Sequence, residues 1–161
     1  MIKNILPFFL FSFLSAYSFV GINLNSSSFY TAGGGFGFSV GRQEGNKRLY
    51  SNVVAISYDD NYWLSYYAIG FDYFFTDDKL KPYIGMTADY VSIENDENNL
   101  KDSTEGFAFR SGLLYSVNDY FDVNFVGEMI FLNNYKTIKN IYLSLEYKFN
   151  REDISIIYFP F

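Results

Sequence analysis

The chain has no cysteine and no histidine in its 161 residues. The first absence excludes disulfide frameworks, thiolate metal sites and thiol nucleophiles. The second removes the commonest general base and the commonest metal ligand, so Ser–His chemistry has no base here. Basic residues are also few: 12 Lys and Arg against 18 Asp and Glu, a formal charge of −6. Nucleic-acid binding, which needs basic patches, is therefore not expected. Tryptophan occurs once and proline three times. After the first 15 residues no apolar run is long enough for a membrane-spanning helix, which needs roughly 20 residues.

What the chain does have is aromatic: 16 Tyr and 19 Phe bring the aromatic share to 22%. Such enrichment favours strands. Apolar residues make up 49%, yet mean hydropathy is only −0.03, so apolar and polar residues interleave. The clearest instance is the stretch 140–149. Ile141, Leu143, Leu145, Tyr147 and Phe149 fall on one face, and Tyr142, Ser144, Glu146 and Lys148 on the other. A period of two means a strand. With one wholly apolar face and one charged face, that strand suits a sheet closed on itself, lipid outside and polar side chains inside.

The chain opens with a short basic start at Lys3, an apolar stretch from Ile5 to Leu14, and small residues Ala16 and Ser18 at −3 and −1 of a cleavage point. This is the pattern of a secretory signal peptide over 1–18, with the mature barrel domain expected over 19–161. Alternation then predicts strands over 19–24, 32–42, 49–58, 62–75, 82–93, 104–116, 121–131 and 140–149. Eight strands bring both ends of the sheet to one side. The connections at 25–28, 59–61, 94–103 and 132–139 fall on the other side, the last two being the longest. The fold class expected is an all-β, up-and-down antiparallel transmembrane β-barrel.

The outward aromatics sort by height. Tyr73, Phe75, Tyr115, Phe121, Tyr147 and Phe149 lie toward the end shared by the termini, and Trp63, Tyr90, Phe107 and Phe131 toward the other. Two aromatic belts are what a membrane barrel places at its two interfaces. Inside, Asp89, Arg110 and Glu128 fall on three consecutive strands near mid-height, with Asp72 and Glu146 lower. Charges in a narrow lumen must pair. The first three are expected to fill the lumen structurally, ahead of acting as a latch that gates a path, because eight strands leave room only for side chains. Glycines 35, 37 and 41 share an inward face and relieve crowding there.

Other candidates are weaker. The polar run 94–103 lacks the central Gly and terminal Glu spacing of a calcium loop. Gly33-Gly34-Gly35 lies within a strand and lacks the Lys-Ser/Thr of a phosphate loop. Asp119 and Asp122 beside a turn read as turn chemistry. Neither a cofactor, a metal nor a catalytic residue is expected.

Three motifs carry a family resemblance. Leu80-Lys81-Pro82-Tyr83-Ile84-Gly85 resembles the L-x-P-Y-x-G start of an ascending strand in small Gram-negative outer-membrane barrels. Arg110-Ser111-Gly112-Leu113-Leu114-Tyr115-Ser116-Val117-Asn118-Asp119 resembles a descending strand with its periplasmic turn, and Leu143-Ser144-Leu145-Glu146-Tyr147-Lys148-Phe149 the closing strand. The group is the opacity-protein-like and outer-membrane-protein-A-like barrels, often called porin-family although no substantial open pore is expected here. The resemblance implies outer-membrane lipid as surroundings, and periplasmic chaperones and the barrel-assembly machinery as partners, with Phe161 as the terminal aromatic that machinery reads. Members usually end at the closing aromatic; here a tail over 150–161 follows, with Pro160 unable to join a ladder. The role expected is structural or surface-interactive. One alternative is an adhesin engaging a host or envelope partner through 94–103 and 132–139. A second is a soluble periplasmic barrel carrying a small apolar ligand.

Overall fold

In the computed structural model, residues 17–59, 62–95, 100–133 and 135–149 are described. They form eight strands: β1 Tyr17–Ser28, β2 Ala32–Glu44, β3 Lys47–Asp59, β4 Tyr62–Phe74, β5 Leu80–Asn95, β6 Leu100–Ser116, β7 Phe121–Leu132 and β8 Ile138–Phe149. Each pairs antiparallel with its neighbours in chain order, and β1 pairs with β8, so the barrel is closed. Closure removes every sheet edge. Residues 1–16 of the expected signal peptide, the tail 150–161 and Phe161 lie outside the described residues. Strand β1 begins at Tyr17, two residues before the expected mature start at Phe19.

The tight connections follow from local chemistry. Between Glu44 and Lys47 only Gly45 and Asn46 turn the chain, and Gly45 takes φ +53°, which a two-residue hairpin turn demands. Between β6 and β7 the Asn118 Oδ1 accepts the backbone N–H of both Tyr120 and Phe121 at 2.8 Å. Asn side chains favour turns through such bonds.

Two expected loops prove to be largely strand. Residues 25–28 continue β1, with Asn25 and Ser27 buried and Ser26 and Ser28 exposed. Their polarity suggested a turn, but the period of two runs through them and the lumen satisfies the inward pair. The run 94–103 also pairs, Glu94 with Lys101 and Asn95 with Leu100, while 96–99 lie outside the described residues. At 132–139, Leu132 ends β7 while Ile138 and Lys139 open β8.

A path perpendicular to the strands runs Arg42, Leu49, Phe71, Met86, Phe109, Met129, Lys139, Ser28 and back to β2 at Ala32, ten residues from its start. Eight strands with that stagger tilt by about 40° from the barrel axis. The outer wall is apolar, with Leu24, Phe36, Phe38, Ile84, Phe109, Phe125 and Leu145 all exposed. The interior is packed. An apolar cluster of Phe29, Val54, Ile56, Leu64, Val91, Ile93, Ile130 and Ile138 fills the half nearer the 29–31 turn, and a smaller one of Phe74, Tyr83, Leu114, Val126 and Tyr142 lies nearer the termini. Polar side chains were expected inside; the interior holds these apolar clusters as well. A narrow barrel needs close packing inside as any core does, and apolar side chains supply it without partners.

Candidate functional site

The lumen carries a cluster of buried ionisable side chains, and it is arranged in tiers. Nearest the termini, Lys148 Nζ lies 2.6 Å from Asp122 Oδ1 and donates to the Asn118 carbonyl at 3.0 Å. Asp122 is thus an ion-pair member as well as a neighbour of the turn. Above it, Arg48 contacts Glu146 through its two terminal nitrogens, Nη2 at 2.9 Å and Nη1 at 3.1 Å, and reaches Gln43 Oε1 at 3.3 Å. Its guanidinium lies 4.2 Å from the centre of the Phe19 ring. Both partners of this pair are 2% exposed.

At the next tier Arg110 Nε sits 3.2 Å from Asp72 Oδ1, while its other nitrogens donate to the hydroxyls of Tyr83, at 2.9 Å, and Tyr50. Asp72 accepts no aligned hydrogen bond, so charge holds it rather than a directed N–H. Tyr83 in turn donates to Asn124 at 3.0 Å, and Asn124 to Glu146 at 2.9 Å, which links the two arginine tiers. Glycines make the space. A Cβ on Gly70 would fall 2.1 Å from the Tyr50 ring, and one on Gly85 2.1 Å from Asp72 Oδ1.

Above these tiers Glu128 accepts from Tyr66 at 3.2 Å and Asn140 at 3.4 Å, and Asp89 from Thr87 at 2.7 Å. Asp89, Arg110 and Glu128, expected to pair among themselves, are all buried in the lumen but do not do so. Arg110 is the ladder partner of Glu128, yet its guanidinium crosses over Gly85 to Asp72 on β4. Arg48 was missed altogether, because it falls in the gap between the strands expected over 32–42 and 49–58, whereas β3 begins at Lys47. Its signal was there: Arg48, Tyr50, Asn52 and Val54 share one face by period two, and all are buried. The space left around Asn23, Arg48, Arg110 and Glu146 is about 10 Å³. That is room for one water at most.

The end away from the termini carries a second set of groups. Phe29 packs on Tyr30, Tyr58, Tyr62 and Tyr135, with ring centres 4.4 to 6.5 Å apart, and Lys136 lies 5.0 Å over Tyr30. Lys101 and Glu94 pair at 2.5 Å on the β5–β6 hairpin. Tyr135 donates to Asp102, and that bond, with the Ser103 N–H, holds the Asp102 carboxyl below its ordinary value. The same bond raises the Tyr135 hydroxyl.

The ten outward aromatics lie on the outer wall in two sets. Tyr73, Phe75, Tyr115, Phe121, Tyr147 and Phe149 lie toward the termini, and Trp63, Tyr90, Phe107 and Phe131 toward the other end. With the strand tilt above, their mean heights differ by about 24 Å. Phe107 stacks on Phe131 at 5.2 Å, and Phe121 meets Tyr147 at 5.4 Å.

No protein-family profile matches the chain, and no curated protein matches it in sequence. Solved structures do match. The N-terminal β-barrel domain of Pseudomonas aeruginosa OprF aligns with a TM-score of 0.64 and 16% identity, covering 84% of this chain and 100% of that one. Neisserial surface protein A aligns at 0.59 and 16%, covering 83% and 95%. Ail, the attachment invasion locus protein of Yersinia pestis, aligns at 0.56 and 13%, covering 83% and 97%. Identities this low speak to architecture alone: the chain has the closed eight-stranded antiparallel fold shared by these small surface and outer-membrane barrels.

Proposed function

We propose that the protein is an integral outer-membrane barrel with a structural or surface-interaction role and no substantial open pore. One observation carries this reading: the charges are buried inside the barrel while its outer wall is apolar. Among the described residues, five carboxylates and three cations line the interior, while the outer wall is apolar and ringed by aromatics. A soluble barrel with that wall in water would aggregate; in lipid the wall is at its lowest free energy. The filled lumen supports the closed reading. It also weighs against a soluble carrier, since nothing of ligand size fits beside the arginine tiers.

On this reading residues 1–18 direct export, with periplasmic chaperones and the barrel-assembly machinery completing insertion. Function then resides at the end away from the termini. An adhesin role is favoured over a purely structural one by a single feature there: the β5–β6 ladder reaches Asn95 and Leu100, beyond the Tyr90 and Phe107 belt, as a stiffened hairpin. Ail has also been solved in complex with the heparin analogue sucrose octasulfate, so one barrel of this fold binds a ligand.

Membrane fractionation with heat-modifiability tests the main reading. Recovery in the outer membrane, with unboiled protein migrating faster than boiled, is the expected result; recovery in the soluble periplasm without a shift overturns it. Removal of 94–103 abolishes cell attachment on the adhesin reading and leaves it unchanged on the structural one.

A further inference from the structure

The upper aromatic belt leaves a polar gap. At the height of Tyr90, Phe107 and Phe131, the sector formed by β8, β1, β2 and β3 presents Lys139, Ser26, Gly34 and Ala55, with the exposed rings of Phe36 below them and Tyr30 above. On the strand tilt above, these four lie within about 3 Å of the height of Phe107 and Tyr90. Lys139 points outward and, among the described residues, has no carboxylate partner. Lys136 follows the same side upward and rests on the Tyr30 ring, likewise without a carboxylate. A chain of net charge −6 thus places two cations without a carboxylate partner, among the described residues, in one sector of its outer wall.

Below Lys139 the wall is hollow. An open groove of about 430 Å³ lies between Phe109, Met129 and Ile141, with Ser111 at its foot and Lys139 at its head. Its floor is Gly127. The lumenal glycines 70 and 85 are glycine because a neighbour occupies the place of a side chain; at Gly127 an added Cβ would meet nothing within 4 Å, and its φ is not positive. The barrel's own packing therefore gives no reason for glycine at this point. The groove is continuous with the lipid-facing wall and one side chain deep.

We propose that this sector is a binding site for one phosphorylated acyl glycolipid of the lipid A class. An acyl chain lies in the Gly127 groove, a phosphate meets Lys139 with the outward hydroxyls of Ser26 and Ser28 beside it, and Lys136 meets the more distal part of the headgroup. Apolar burial of the chain and charge-assisted hydrogen bonds to phosphate supply the two parts of the affinity. A lysine at this depth otherwise stretches to the interface unpaired; here the phosphate comes to it. The inference rests on the outer-membrane reading, because lipid A is the lipid of the outer leaflet, and the loop end of the barrel faces that leaflet.

The test is native mass spectrometry of the full-length protein released from detergent, titrated with diphosphoryl lipid A and, separately, with phosphatidylglycerol. Wild type should take one lipid A and hold it in preference to phosphatidylglycerol. Lys139→Gln and Gly127→Leu should each weaken that binding about tenfold, the loss of one charged contact or of the slot. Lys79→Gln, at the opposite end, should leave it unchanged. A heat-modifiability gel on every variant shows that the barrel is closed, so lost binding is not misfolding. Equal retention by wild type, Lys139→Gln and Gly127→Leu overturns the site. So does phosphatidylglycerol binding equally well, or a second copy of the chain occupying the sector in place of lipid. Fractionation separates the two readings: a barrel in the outer membrane that takes no lipid A refutes this inference alone, whereas soluble protein refutes the location first.

Discussion

Replacing Arg110 by Met probes the lumen most directly. Arg110 is 3% exposed and is the cation nearest Asp72, which is 0% exposed and accepts no hydrogen bond. The methionine fills the shape but leaves Asp72 as a buried charge whose nearest other cation is the committed Arg48. Breaking such a pair from one side costs about 3–5 kcal/mol. The Tyr50 and Tyr83 hydroxyls also lose their donor, though Tyr83 keeps its bond to Asn124. The double variant Asp72→Asn with Arg110→Met removes both charges and should recover most of that loss, because an uncharged pair carries no comparable desolvation penalty. Urea unfolding in lipid vesicles measures both. The single tryptophan, Trp63, lies exposed on the outer wall and reports when the wall leaves lipid. A single variant within 1 kcal/mol of wild type, or a double variant no better than the single, would refute the claim that Asp72 depends on Arg110.

Other outcomes follow from the same geometry. Gly70→Val sets a branched side chain where even a Cβ lies 2.1 Å from Tyr50, and should lower urea stability by about 1–3 kcal/mol through overpacking; unchanged stability would mean the Tyr50 ring is free to move. Planar-bilayer recordings should show no unitary steps, since the apolar cluster and the arginine tiers fill the lumen in series; reproducible steps would show that the tiers open. The Asp102 carboxyl sits below its ordinary 3.8 because Tyr135 donates to it. A depressed folded value means the contact contributes fully above the unfolded value and is lost as pH falls through the folded one. Carboxyl NMR should therefore show Asp102 titrating below the ordinary value in wild type, and Tyr135→Phe should raise it; an unmoved titration would separate the two groups.

The strands and the two faces were legible in the residues because alternation is a local property. Ile141 and Glu146 lie on opposite sides of β8 whatever the rest of the chain does, since successive side chains point to opposite faces. The misjudged stretches, 25–28 and 94–103, are those where polar residues continue a strand past the apolar ones: composition changed there while the period did not. Which charge meets which was not legible. Arg110 bonds Asp72 two strands away rather than its ladder neighbour Glu128, and Arg48 on β3 meets Glu146 on β8 across the lumen. Those partners are set by the ten-residue stagger at which the barrel closes. That stagger assigns every residue its height, and it exists only once β1 has paired with β8. Period two tells each residue whether it lies on the outer wall or in the lumen; closure tells it whom it meets there.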